Sequence, residues 1–204
     1  MKLNARDLKS TLHWNIITSV RKSSGQARAI TMSARTSRRC CNTSSVSRVS
    51  HTRLWLRARR DLKVVAELGH IAVGLEGAAH FADMARACSG CEVWQQDFLK
   101  LDLPNNYFDG VFANAALFHV PSQELPRVLL ELHASLKPGG VLFSSNPHGH
   151  NEEGWNGGRY VVYYDLNAWR RYVSAAGFVE LSHYYRPAGL PRERQPWLAS
   201  VWRR

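Results

Sequence analysis

The patterning of this chain predicts an α/β fold, a doubly wound, mostly parallel sheet with an antiparallel hairpin at its carboxyl end. Three observations carry that reading. From residue 61 onward, short apolar runs alternate with amphipathic segments of helical period. Two of the runs, Ile71-Ala-Val-Gly-Leu-Glu76 and Glu92-Val-Trp-Gln-Gln-Asp97, end in an acid. The last two, Phe178–Tyr185 and Trp197–Trp202, follow one another with only a Pro-rich connection between them.

Taken in order, Asp61 to Gly69 reads as a helix with Leu62, Val65, Ala66 and Leu68 on one side and Gly69 as its cap. Strand Ile71–Glu76 follows, then a helix from Ala78 to Ala87 with Phe81, Met84 and Ala85 turned inward. The strand Glu92–Gln96 leads to Asp97, and Gly110–Ala113 leads to Asn114. Pro121 to Leu136 carries Leu125, Val128, Leu129, Leu132 and Leu136 at the i, i+3, i+4 spacing of a helix. Pro138-Gly139-Gly140 then turns the chain into strand Val141–Ser145. Asn146 to Tyr164 reads as a glycine-bearing loop, and Asp165 to Ala176 as a helix with Asp165 as N-cap and Gly177 as its stop.

Charge divides the chain at residue 60. Residues 1–60 hold 14 Lys/Arg and the single acid Asp7, whereas residues 61–204 hold 13 Lys/Arg and 15 Asp/Glu. The overall +11 therefore belongs to the leader, and the patterned part, at −2, offers no basic face for nucleic acid. No apolar run has the length of a membrane span. Four cysteines, two of them adjacent at Cys40 and Cys41, make a poor disulfide framework and point to a reducing compartment. The chain thus divides into a basic leader, 1–60, expected to be disordered, and a domain over 61–204.

The Arg- and Ser-rich, acid-poor leader has the composition of a mitochondrial transit peptide, so the expected cytoplasmic location has a mitochondrial alternative. It also has an out-of-frame reading. With suitable codons, Arg53-Leu-Trp-Leu-Arg-Ala-Arg59 read one nucleotide later spells Asp-Phe-Gly-Cys-Gly-Pro-Gly, and Trp followed by Leu forces a glycine codon in that frame. Residues 35–48 similarly yield, in a neighbouring frame, a segment with helical apolar spacing. On this reading much of 30–60 is an out-of-frame translation of a first helix and a glycine turn. The first strand of the sheet is then missing or degraded, and residues 1–58 are poorly packed.

Acid-ended strand, Gln-Asp-Phe98, Phe108-Asp-Gly-Val-Phe-Ala-Asn114, Leu136-Lys-Pro-Gly-Gly140 and a terminal hairpin, in that order, resemble the class I S-adenosylmethionine-dependent methyltransferases, most closely their small-molecule branch. The resemblance spans about 61–204, roughly seventy per cent of the chain. It implies a seven-stranded Rossmann-like sheet, S-adenosyl-L-methionine as cofactor and a small-molecule methyl acceptor. The departure is the glycine-rich turn after the first strand, which in the family carries the cofactor's amino-acid part and here is lacking.

Carried over by position, the resemblance puts Glu76 and Gly77 at the ribose, where a carboxylate accepts two hydroxyl donors at once. Asp97 and Phe98 fall at the adenine, and Asn114 and Ala115 in the crevice beside the methionyl part. His119 is the candidate catalytic group, as a weak base or positioning residue. Trp155, Arg159 and Tyr160, in the loop after the fifth strand, are candidates for covering the acceptor. The remaining signals are weaker. His148 and His150 with Glu152 and Glu153 have ligand chemistry without diagnostic spacing, and Cys88-Ser-Gly-Cys91 reads as a helix-end turn, so no metal site is expected. A second class of function, a non-catalytic relative whose basic leader meets RNA or an anionic membrane, stays open at this point.

Overall fold

The computed structural model describes residues 53–56 and 59–204. They build β1 (Arg53–Leu56), α1 (Arg59–Glu67), β2 (Ile71–Glu76), α2 (Ala79–Ser89), β3 (Glu92–Gln95) and β4 (Phe108–Asn114). These are followed by α3 (Leu125–Ser135), β5 (Leu136–Pro147), β6 (Glu152–Asn156), β7 (Arg159–Tyr163), α4 (Leu166–Ala175), β8 (Val179–Arg186) and β9 (Trp197–Arg203). Seven strands form one sheet in the order β3-β2-β1-β4-β5-β9-β8, parallel from β3 to β5, with β9 antiparallel to both of its neighbours. The doubly wound sheet and its antiparallel end are as the patterning predicts.

The first strand corrects one expectation. Its position is filled: Arg53–Leu56 lies parallel between β2 and β4, with Leu56 level with Gly74 on one side and Phe112 on the other. A central slot in a parallel sheet exposes unpaired N–H and C=O groups on both flanks, and a short segment of extended backbone satisfies them whatever its sequence. The strand is four residues long against seven for β4, so it is shortened rather than missing. The rest of the expectation for 1–58, and the leader assignments, fall outside the described residues.

Packing follows from small residues where layers meet. A Cβ on Gly74 would lie 2.9 Å from Leu62 Cδ1 and 3.0 Å from Val93 Cγ2, so glycine lets α1 lie directly on β2. In α2 it is Ala82 and Ala85 that face inward; Phe81 is 49% exposed, which corrects its inward assignment, because the small residues allow close approach to the sheet and a phenyl ring does not fit there. α3 starts at Leu125 rather than Pro121, since Pro126 suits a helix's first turn, where its missing N–H goes unneeded. It buries Leu125, Val128, Leu129 and Leu132 completely, each worth about 1.5–3 kcal/mol of apolar burial. Leu136 leaves the helix to pair with Phe108, opening β5 five residues before the predicted start. The carbonyls at the end of α3 accept from Asn106 N at 2.9 Å and Tyr107 N at 2.8 Å. Asn146–Tyr164, expected as a loop, holds the β6–β7 hairpin. No described helix is long and apolar enough to cross a membrane.

Candidate active site

Strands β1 to β5 run the same way, so their carboxyl ends share one edge, and the strand order reverses between β1 and β4. Helices leave the sheet to opposite faces at such a point and open a crevice there. Glu76 stands at the end of β2, half-buried, with Oε1 accepting Ala78 N at 3.2 Å. Beside it, the Cβ position of Gly77 lies 3.6 Å from Gln96 O and 3.7 Å from Asp97 Cα, which brings the two acid-ended turns into contact. Asp97 is exposed and caps the short helical turn Phe98–Lys100, its Oδ1 accepting Leu99 N at 2.9 Å. Phe98 is half-buried, and its carbonyl accepts the Arg127 guanidinium at 3.2 Å.

Across the crevice, Asn114 ends β4 level with Ser145, and Ala115 N donates to Ser145 O at 2.8 Å. Ala115 has φ +52, a left-handed conformation that costs a non-glycine residue roughly 1–2 kcal/mol. Strain of this kind concentrates at functional sites. His119 ends the short helical turn Leu117–His119, with Nδ1 2.8 Å from Tyr160 O. A carbonyl only accepts, so Nδ1 carries the proton and Nε2 of the neutral ring is the accepting nitrogen.

The structure brings His119 and Tyr160 together, and puts Trp155 and Arg159 further out on the hairpin. Trp155 is 76% exposed, with its ring edge-on to Tyr160 at 5.7 Å. Glu153 fastens this hairpin down: Oε1 accepts Ser122 N at 2.8 Å and Tyr160 OH at 3.0 Å, and Oε2 accepts Ser122 Oγ at 2.5 Å. Burial pushes the Glu153 carboxyl up, but the Ser122 and Tyr160 donors outweigh it and hold the group below its ordinary value. The turn at Gly157-Gly158, with φ +54 and +76, has the positive φ pair of a tight hairpin. Two adjacent glycines between Trp155 and Tyr160 are a hairpin signal that a loop assignment overlooks. The weaker candidates behave as local structure. His150 N donates to Glu152 Oε2 at 2.7 Å, and Cys91 Sγ lies 3.7 Å from Leu62 O. Among the described residues no cluster of three His, Cys, Asp or Glu is arranged to hold a metal.

Leu56 stops two residues below the level of Glu76 and Asn114, and only Arg57-Ala58 join it to α1. This connection contains no glycine.

Comparison with known proteins bears on the fold. Residues 59–144 match the family model described as a methyltransferase domain. Sterol 24-C-methyltransferase ERG6A of Gibberella zeae is 36% identical over 68 residues, 33% of this chain and 17% of that protein. ERG6B of the same organism is 47% identical over 48 residues, 24% of this chain and 12% of that protein, so the chain spans under a fifth of the curated relatives it matches. Among solved structures, an S-adenosylmethionine-dependent methyltransferase from Mesorhizobium loti superposes with TM-score 0.65 at 19% identity, over 78% of this chain and 94% of that one. The 1,6-didemethyltoxoflavin-N1-methyltransferase of Burkholderia thailandensis, solved with S-adenosylhomocysteine bound, gives 0.62 at 19% identity over 76% and 71%. Residues 59–144 thus match a methyltransferase-domain model, and the described unit has the fold of the S-adenosylmethionine-dependent methyltransferases on which it superposes.

Proposed function

We propose that this domain is built to move a methyl group from S-adenosylmethionine to a small-molecule acceptor, and that this chain holds the nucleoside part of the cofactor better than its amino-acid part. The observation that carries the reading is the meeting of two acid-ended strand turns, Glu76-Gly77 against Asp97, where the strand order reverses. The sterol and toxoflavin enzymes it resembles, by their names, act on small molecules.

The nucleoside side fits. Glu76 offers a carboxylate to vicinal hydroxyls, and Asp97 accepts from an exocyclic amine with the Phe98 ring alongside. Asn114 and Ala115 line the crevice toward the reacting end. The amino-acid side does not fit. A charged amino-acid end is best met by backbone N–H groups at a strand-to-helix turn, and glycine permits the close approach they need. Arg57-Ala58 lacks it.

The cofactor supplies an electrophilic sulfonium methyl, so the protein's task is chiefly orientation. His119, fixed in its tautomer by Tyr160, presents Nε2 as the group that accepts a proton from an acceptor nucleophile. Trp155, Arg159 and Tyr160 lie on the hairpin that covers the acceptor side. Calorimetric titration with S-adenosylhomocysteine tests the reading. Weak binding, above the micromolar range, that is lost in Glu76→Ala is expected. Micromolar or tighter binding overturns the deficit on the amino-acid side; binding that Glu76→Ala leaves untouched overturns the site.

A further inference from the structure

Asn146 and Tyr164 are among the buried polar side chains left over once the site above has been assembled. Asn146 is 2% exposed and Tyr164 is 3% exposed. Neither the Asn146 side-chain amide nor the Tyr164 hydroxyl has a hydrogen-bond partner among the described residues. Buried polar groups are normally matched, so an unmatched pair at one place asks for a reason.

They do lie at one place. Asn146 follows Ser144 by two positions on β5 and so faces the same side of the sheet. Ser144 Oγ is 2.9 Å from Ser200 Oγ, which also accepts Trp169 Nε1 at 2.9 Å. The Tyr164 ring packs on the same Trp169, with centroids 5.7 Å apart, and its carbonyl accepts Gly149 N at 3.2 Å. Asn146 therefore lies on the face of the sheet that Trp169 covers, and Tyr164 packs on that Trp169 just after β7, the strand whose Tyr160 holds His119.

Building on the methyltransferase reading, we infer that Asn146 and Tyr164 are specificity residues of the acceptor site, binding a neutral hydroxyl or carbonyl on an otherwise apolar molecule. An alcohol can bond to both, accepting from the Asn146 amide N–H and donating to the oxygen of the Tyr164 hydroxyl. The acceptor is neutral because the acids nearest Tyr164 are already engaged, Asp165 by Ala168 N and Asn151 Nδ2. Glu153 is engaged by Ser122 and Tyr160, and burial keeps Tyr164 a neutral phenol. A buried ion without a partner is far more costly than a neutral group. The body is apolar because the neighbours are aromatic: the Tyr172 and Trp169 rings lie 5.3 and 5.7 Å from that of Tyr164.

The test uses the full chain and a matched probe pair, benzyl alcohol and toluene, titrated by ligand-observed NMR. About a tenfold preference for the alcohol is expected, one well-made hydrogen bond's worth. Tyr164→Phe and Asn146→Leu should each remove most of that preference while raising Tm, because each deletes an unmatched polar group without changing the shape much. A preference that is absent in the unaltered chain, or that survives both substitutions, overturns the inference. So does a fall in Tm in both variants, which would show the groups to be bonded within the fold. Separately, if the unaltered chain fails to bind S-adenosylhomocysteine while the alcohol preference holds, the cofactor reading fails and this site stands.

Discussion

At the residue scale the most consequential side chain is the small one at position 200. Ser200 Oγ accepts Trp169 Nε1 at 2.9 Å and Trp202 Nε1 at 2.8 Å, and it lies 2.9 Å from Ser144 Oγ. Two indoles fill its accepting capacity, so its own proton goes to Ser144. All four residues are buried away from bulk solvent. Ser200→Ala should therefore strand two indole N–H groups and destabilise the fold by about 2–5 kcal/mol, measured by urea unfolding. Nothing in the sequence marks Ser200, because its role arises only when β9, β5 and α4 meet. Glu76 and Asp97 were legible for the opposite reason: an acid that ends an apolar run has to sit at a strand's carboxyl edge. Asn146 and Tyr164 were not, since a polar residue becomes an orphan only through what surrounds it.

At the scale of elements, α4 and the β6–β7 hairpin share an anchor. Asp165 Oδ1 caps α4 by accepting Ala168 N at 2.7 Å, and Oδ2 accepts Asn151 Nδ2 at 2.8 Å. The Ala168 N–H, and after it Asn151, hold the Asp165 carboxyl below its ordinary value. A depressed carboxyl stabilises the fold fully above its unfolded pKa, about 3.9, and loses that contribution as pH falls through the lower folded value. Asp165→Ala should cost about 1 kcal/mol at pH 7, and the gap between variant and parent should close in urea titrations taken toward pH 2. The hairpin itself is held by Glu153. Glu153→Gln keeps one accepting oxygen but places an amide against the Ser122 hydroxyl. Amide exchange across 152–163 should then quicken several-fold at neutral pH, while that of α3 should not change. The α4 helix was readable from its cap and its stop. The hairpin was missed because Glu152-Glu153-Gly154-Trp155-Asn156 lacks the β-branched alternation of a strand, and only the glycine pair betrays it.

For the whole molecule, the reversal of strand order and the shortened β1 set the expected ligand profile. If the nucleoside half of the cofactor supplies most of the binding, 5′-methylthioadenosine should bind within a few-fold of S-adenosylhomocysteine by calorimetry. An advantage of thirtyfold or more, about 2 kcal/mol, for the amino-acid-bearing ligand would show that the Arg57-Ala58 connection does the work of a glycine turn. Sequencing the coding DNA across codons 30–62 bears on the same point, because the neighbouring frame either spells the glycine turn or does not. The sheet and its order of elements were legible through alternating periodicity from residue 61 on. The first strand was not, because its slot is defined by β2 and β4 on either side rather than by a pattern in Arg53–Leu56.

The place of β9 also sets the order in which the molecule assembles. Among the described residues β8 joins the sheet only through β9, although β8 comes first along the chain. β8 therefore cannot dock before β9: either β9 pairs with β5 first, or the two dock together as a hairpin. Until that late, long-range step, the rim of β5 is an unpaired edge and the apolar side of Leu198 and Trp202 has no cover. The window in which this chain is most open to pairing with a foreign strand is therefore the interval before β9 docks on β5.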